Sequence, residues 1–179
     1  MFEPVIKFFR RRKIRKYSKA IPTSLKPLSE IKTANVVIDV EEVEWDSLKE
    51  EILAWGRNNG IKVSIYFFDF RKLGKEELLL TSIQTTILKK ELDWLGYPKA
   101  DKTAGLTEEA TDLFVSLIDS SVPAIDLISK CANARFKIGR RYYEGHAFDM
   151  IISGTPNEDL RSDSRLILKE MIVYLSKIQ

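Results

Sequence analysis

The chain has 179 residues, of which 44% are hydrophobic and 10% aromatic, so it can build one folded domain and is neither collagen-like nor intrinsically disordered. Its 29 Lys and Arg residues against 26 Asp and Glu leave a formal net charge of only +3. The single cysteine, Cys131, excludes an intramolecular disulfide and a cysteine-rich metal site, which favours a cytoplasmic location.

The positive charge is concentrated at the start of the chain. Residues 1–27 contain nine Lys and Arg residues against Glu3 alone, a net charge of +8, so the rest of the chain carries −5. Four apolar residues at helical spacing predict an amphipathic helix here: Phe2, Val5, Ile6 and Phe9. We expect a basic N-terminal arm over residues 1–27, followed by one domain over residues 28–179.

Two interpretations of this arm are open. In one, the apolar residues pack on the body and the cations are solvated. In the other, the arm binds an anionic partner through residues 1–20, with the charge supplied by Arg10, Arg11, Arg12, Lys13, Arg15 and Lys16. RNA or the ribosome ranks slightly first, with Phe8, Phe9 or Tyr17 stacking on bases, and an anionic membrane surface ranks second.

The sequence contains no secretory signal and no transmembrane segment. After Lys19 there is no apolar run of the length that a signal peptide needs, and no later run approaches the roughly 18 apolar residues of a membrane span. We therefore expect a cytoplasmic protein, with peripheral membrane association as the alternative.

The first part of the body predicts a parallel strand-helix-strand unit. Residues 34–40 and 61–70 are apolar, β-branched runs of strand length. Between them Trp45, Leu48 and Trp55 repeat at helical spacing before a stop at Asn59-Gly60. A crossover of this length favours parallel strands. In the next segment, residues 78–88 fit either a helix or a strand.

The second half continues the alternation of strands and helices. Residues 113–118 predict a strand, and Asp119, Ser120, Ser121 and Pro123 a helix start. Residues 135–139 and 148–153 predict two more strands, antiparallel or unpaired because their link is too short for a crossover helix. Residues 155–158 predict the start of a last amphipathic helix. The pattern indicates a three-layer, Rossmann-like α/β domain with a mostly parallel sheet of about five strands.

The predicted core joins strands and helices of this domain. Near-continuous apolar strands indicate that both faces of the sheet are covered. We expect ten residues to be buried together: Val36, Ile38, Val63, Ile65, Phe67, Phe114, Leu117, Ile151, Leu168 and Ile172. Trp94 is expected to anchor the turn at residues 92–97.

No known catalytic or cofactor motif is present. The chain lacks GxGxxG, GxxxxGK[ST] and GxSxG, and its only histidine, His146, excludes HExxH. We assign no catalytic residue, no metal ligand and no cofactor, and an enzymatic role is not favoured.

Topology predicts one candidate ligand cluster. In open α/β sheets, ligands bind at the carboxyl ends of the strands, near the point where the strand order reverses. The residues at these ends are Asp39, Asp69, Asp119, Ser120, Ser121, Arg140, Arg141 and His146. They could bind a phosphate or a carboxylate. The alternative is that they are ordinary helix caps and a solvated charged rim.

Several segments resemble a small family of uncharacterised bacterial proteins that pair a basic N-terminal segment with one α/β domain. The matching residues are 35–40, 91–99, 113–120, 134–139, 148–152 and 174–176. This resemblance implies a shared fold and no known activity. Residues 113–139 are also similar to a strand-helix-strand of heptosyltransferase-like glycosyltransferases, although the chain lacks the second domain of those enzymes.

We therefore expect a non-catalytic binding or accessory protein whose basic arm contacts an anionic partner. The alternative is a small ligand-binding domain or enzyme that uses the strand-end cluster.

Overall fold

A computed structural model describes residues 2–19, 21–71, 81–153 and 163–178. In these residues six strands form one open sheet in the order β3-β2-β1-β4-β5-β6. The strands are β1 (Thr33–Asp39), β2 (Lys62–Asp69), β3 (Thr86–Leu88), β4 (Thr111–Ser116), β5 (Ala134–Gly139) and β6 (Met150–Ile151). Every pairing between these six strands is parallel. This is the strand order of the doubly wound Rossmann fold, which confirms the predicted α/β class.

The described residues contain five α-helices, four of which pack on this sheet. They are α1 (Glu3–Tyr17), α2 (Trp45–Asn59), α3 (Ala100–Thr107), α4 (Pro123–Cys131) and α5 (Ser164–Ser176). Helices α2 and α5 share one core with the sheet, and α3 and α4 share the other. Gly60 ends α2 with a φ of 66°, a left-handed conformation that glycine adopts without steric cost.

The predicted core is divided by the sheet. Val36, Ile38, Ile65, Phe67, Leu117 and Leu168 lie together on the α2 and α5 side. Val63 and Ile172 are half-buried against the same core. Phe114 lies on the opposite face with α3 and α4, because successive strand residues alternate between faces. The placement of Ile151 was wrong, since its side chain is 39% exposed on the short edge strand β6.

The prediction that the fifth and sixth strands are antiparallel or unpaired is also wrong. Met150 of β6 pairs with Ile138 of β5 in parallel, and the chain returns through a loop over residues 140–149. Phe148 in this loop stacks on Phe114 at 6.4 Å between ring centroids, and Tyr143 is buried in the same core. The loop therefore covers part of the sheet face that a crossover helix would otherwise cover.

Two other predictions depend on residues at the edge of the described chain. Residues 86–88 form strand β3, whereas the earlier residues of the ambiguous segment, 78–80, lie outside the described residues. The capping box predicted at 155–158 also lies outside them. Within the described chain α5 begins at Ser164, where the side chain of Asp163 accepts a hydrogen bond from the Arg165 backbone N–H.

Helix α1 packs on the outside of α4 and not on the sheet. Its Ile6, Ile14 and Tyr17 contact a small buried cluster formed by Leu95, Tyr97, Leu127 and Cys131. The docked face therefore shares only Ile6 with the face that the apolar pattern predicts, since Phe2, Val5 and Phe9 remain exposed. The expected role of Trp94 was wrong as well, because its side chain is 67% exposed and contacts the ring of Phe9.

Candidate functional site

The strand order reverses between β1 and β4, and the crevice at their carboxyl ends is where such folds bind ligands. Here Arg140, which directly follows β5, occupies that position and is only 4% exposed. Its guanidinium donates to the Glu42 carboxylate at 3.1 Å, to the Ser164 hydroxyl at 2.9 Å and to the Leu117 carbonyl at 3.4 Å. The most deeply placed cation of the predicted cluster is thus engaged by protein groups.

Glu42 and Ser164 complete this network. The Ser164 hydroxyl donates to the second oxygen of Glu42. Burial raises the pKa of the Glu42 carboxyl, even though Arg140 and Ser164 favour its charged form. Burial also raises the pKa of Asp39 at the end of β1. The hydrogen bonds and the ion pair at this edge of the sheet therefore link the loops after β1 and β4 to the start of α5.

Arg141 and Asp119 lie at the rim of the same edge. The Arg141 Nη1 atom lies 3.3 Å from the Asp119 carboxylate, and both side chains are more than 40% exposed. The carbonyl of Ser120 accepts a hydrogen bond of 2.6 Å from the buried Tyr143 hydroxyl. Ser121 is exposed and does not cap α4, because the N-cap position is Val122. The helix start signal therefore identified the helix but not its capping residue.

Asp69 ends β2 and forms a separate pair. Both of its carboxylate oxygens accept from the Arg71 guanidinium, at 2.8 and 2.7 Å, and the Asp69 side chain is 1% exposed. These hydrogen bonds hold the pKa of the Asp69 carboxyl below its usual value. The buried carboxylate at the end of β2 therefore has its hydrogen bonds satisfied within the protein.

His146 does not lie with the predicted cluster. The loop after β5 carries it toward the amino end of that strand, where it lines a small pocket with Lys19, Lys137 and Asp149. The structure therefore brings Asp119, Arg140 and Arg141 together, and it separates His146 from them.

The cations of α1 from Arg10 onward fall into two groups. Arg10 donates to the Leu95 carbonyl at 2.9 Å, and Lys13 donates to the Asp93 carboxylate at 2.5 Å, so both secure the docked face. Arg11, Arg12 and Arg15 are exposed and make no ion pair or side-chain hydrogen bond to any described residue. Lys16 is also exposed, with its ammonium over the Tyr17 ring.

The first half of α1 also presents large apolar side chains to solvent. We call the apolar patch the group formed by Phe2, Val5, Phe8, Phe9 and Trp94, which are 40% to 76% exposed. The Phe9 ring lies 5.6 Å from the rings of both Phe8 and Trp94, in edge-on contact. Sequence reasoning found the helical members but missed Trp94, because the patch depends on how α1 docks beside residues 92–98.

No described helix is long and apolar enough to cross a membrane. Within the described ranges, no three His, Cys, Asp or Glu side chains are grouped so that they could hold a metal ion.

The fold and its sites define an α/β domain of Rossmann strand order, with internal ion pairs at its switch point and a basic helix docked outside it. The chain belongs to a family of unknown function, DUF6913, whose family model matches residues 7–178. No curated protein and no solved structure matches the chain. The similarity to heptosyltransferase-like enzymes is not shown by these comparisons.

Proposed function

We propose that this is a non-catalytic, cytoplasmic binding protein that attaches peripherally to an anionic membrane surface through α1. The observation that carries the proposal is the apolar patch, which is exposed although α1 itself is docked on the body. Contiguous apolar surface beside cations is typical of interaction sites, and aromatic side chains favour the boundary between water and lipid.

The position of the cations supports the same surface. Arg12 and Lys16 follow Phe8 and Phe9 at spacings of three to eight residues, and all four side chains are exposed. When the apolar half enters the headgroup region, these cations remain at the level of the lipid phosphates. Each basic residue near an anionic surface contributes about 1 kcal/mol to binding.

RNA is the competing partner, and the way α1 docks on the body makes an RNA interface less favourable than a lipid interface. Tyr17, one of the residues expected to stack on bases, is half-buried against the cluster of Leu95 and Cys131. Val5 adds apolar area to the patch but cannot stack on a base. A lipid interface uses the whole patch, whereas an RNA would stack only on its aromatic rings and leave Val5 in water.

Vesicle co-sedimentation tests the proposal. We expect the full chain to bind vesicles that contain phosphatidylglycerol, and to bind pure phosphatidylcholine vesicles much more weakly. Replacing Phe2 and Phe8 with Ser should reduce binding at least about tenfold, because each ring loses favourable apolar burial. The matched control replaces Val43 and Tyr142 with Ser, since these side chains are 92% and 67% exposed but lie outside the patch.

Two outcomes would contradict the proposal. One is that the Phe2 and Phe8 double variant binds vesicles as well as the control does. The other is that the wild-type chain ignores vesicles but binds single-stranded RNA with a steep salt dependence, which would assign the cations of α1 to phosphate contacts along a polynucleotide.

A further inference from the structure

An open cleft of about 540 Å³ lies between the second half of α1 and the loop after β5. Arg11 and Arg15 line one side of it, and Lys130 of α4 lies on the other with Glu144 and Gly145. Its volume falls in the range of small-ligand sites, roughly 300 to 1,000 Å³. The lining of the cleft shares no residue with the apolar patch.

A smaller, mostly polar pocket of about 190 Å³ adjoins this cleft. Ser18 and Lys130 line both cavities, and the smaller one adds Lys19, Lys137 and His146. We refer to the two cavities together as the composite cleft. Its lining contains five cationic side chains, Arg11, Arg15, Lys19, Lys130 and Lys137, against the two carboxylates Glu144 and Asp149.

The lysines of the composite cleft keep unused donors. Lys137 donates to the carbonyls of Ser129 and Lys130, both at 3.2 Å, at the carboxyl end of α4. Lys130 pairs with Asp126 at 2.7 Å, and Lys19 donates to the Glu108 carbonyl at 3.1 Å. An ammonium group has three N–H donors, so these contacts fix the side chains and leave further donors for a ligand.

The turn that closes the cleft has an unusual backbone. Gly145 has a φ of 91°, and His146 follows with a φ of 55°, a left-handed conformation that is uncommon for a residue with a side chain. A Cβ on Gly145 would lie in ordinary contact with the Lys130 side chain, at 3.7 Å. Glycine is therefore needed for its conformation, and that conformation holds the turn beside Lys130.

We infer that the composite cleft binds a phosphomonoester, with Arg11, Arg15 and Lys130 as its principal contacts. A dianionic phosphate suits a site with an excess of positive charge, and the planar guanidinium groups match phosphate oxygens. Burial lowers the pKa of Lys137, so an anion beside it would favour its charged form. The inference goes beyond membrane attachment, because it requires no residue of the apolar patch.

The phosphomonoester could belong to a soluble compound or to a lipid headgroup. For the soluble source, the probe is phenyl phosphate, a simple phosphomonoester, titrated into the full chain in a calorimeter at low salt. Arg15→Gln and Lys130→Met should each weaken binding at least about tenfold, because each removes a charge-assisted hydrogen bond. Arg57→Gln is the matched control, since it removes the same charge from an exposed position of α2, on the opposite face of the sheet from α4, and should change affinity less than about twofold.

For the lipid source, vesicles with phosphatidic acid are compared with phosphatidylglycerol vesicles of equal surface charge. A headgroup site predicts tighter binding to phosphatidic acid, and Lys130→Met should abolish that preference while general binding through the apolar patch persists. The failure of this inference is thereby distinct from failure of the proposed function.

Glu144→Gln is a variant that should bind more tightly. A gain in affinity cannot be explained by a loss of folded protein. Removing this carboxylate from the lining should tighten binding of the preferred probe roughly threefold. The inference is overturned if the wild-type chain binds no phenyl phosphate and shows no preference for phosphatidic acid over phosphatidylglycerol. It is also overturned if Arg15→Gln and Lys130→Met bind as the Arg57→Gln control does.

Discussion

Two regions of the molecule carry clusters of arginine, and the side chains have different surroundings and roles in each. At the carboxyl edge of the sheet, Arg140 is buried and bonded to Glu42, Ser164 and a backbone carbonyl. On the outer side of α1, Arg12 is exposed and makes no ion pair with any described residue. The first arginine connects parts of the fold, whereas the second is available to a partner.

The difference follows from the cost of burying charge. A guanidinium removed from water must be matched by acceptors within the protein, and a site that supplies them has no need of a ligand. An exposed guanidinium has water as its partner and can exchange it for a phosphate at little cost. Location at the ligand-binding edge of a Rossmann sheet is therefore insufficient to identify a binding site.

The largest expected effect comes from removing the buried arginine. Arg140→Met should lower the free energy of unfolding by about 3 to 5 kcal/mol, because it leaves the Glu42 carboxylate without its cation. Urea denaturation measures this change. The neighbouring variant Arg141→Met is the control and should cost less than about 1 kcal/mol, since its pair with Asp119 is exposed. A loss below about 1 kcal/mol for Arg140→Met as well would contradict this structural role and restore the edge as a candidate anion site.

A smaller effect is expected at the end of β2 and depends on pH. The pKa of Asp69 lies below its usual value of 3.8, so its charged form stabilises the folded state. Asp69→Asn should lower the free energy of unfolding by about 1 to 2 kcal/mol at pH 7, a figure reduced because Arg71 is partly exposed.

This Asp69 contribution is present above pH 3.8 and is lost as the pH falls through the lower pKa of the folded state. The unfolding curves of wild type and Asp69→Asn, recorded at a series of pH values, should therefore converge in acid. A difference between the two proteins that stays constant down to the lowest pH would contradict this role of the pair.

The smallest effect is expected on α1. Arg12→Gln should change the free energy of unfolding by less than about 0.5 kcal/mol, because the exposed side chain contacts no partner in the described chain. Thermal and urea unfolding both measure it. A loss comparable to that of Arg140→Met would mean that this cation stabilises the fold, and the contrast between the two regions would disappear.

Much of the fold could be predicted from the sequence, because hydrophobic pattern and turn residues act locally. The runs at 34–40 and 61–70 are β-branched and buried, and they form β1 and β2. The parallel pairing of β6 could not be predicted in this way. It depends on Tyr143 and Phe148, whose rings cover the sheet from a loop, and such packing has no periodic signature.

The candidate site was predicted less well, because adjacent residues of one type can have opposite roles. Arg140 and Arg141 are indistinguishable in the sequence, yet their side chains are 4% and 43% exposed. The direction of the chain after β5 determines which arginine is buried. Similarly, the pattern of α1 identifies an amphipathic helix, but the docked face consists of Ile6, Ile14 and Tyr17 with the stems of Arg10 and Lys13.

The single thiol of the chain lies under the docked helix. The Sγ atom of Cys131 is 3.7 Å from the Ile14 carbonyl, the residue is 1% exposed, and burial raises the pKa of the thiol to about 11. Alkylating reagents react with the thiolate, so the closed molecule should be nearly inert to them. The rate of maleimide labelling therefore measures how readily α1 separates from α4. Cys131 is a natural probe of that local opening.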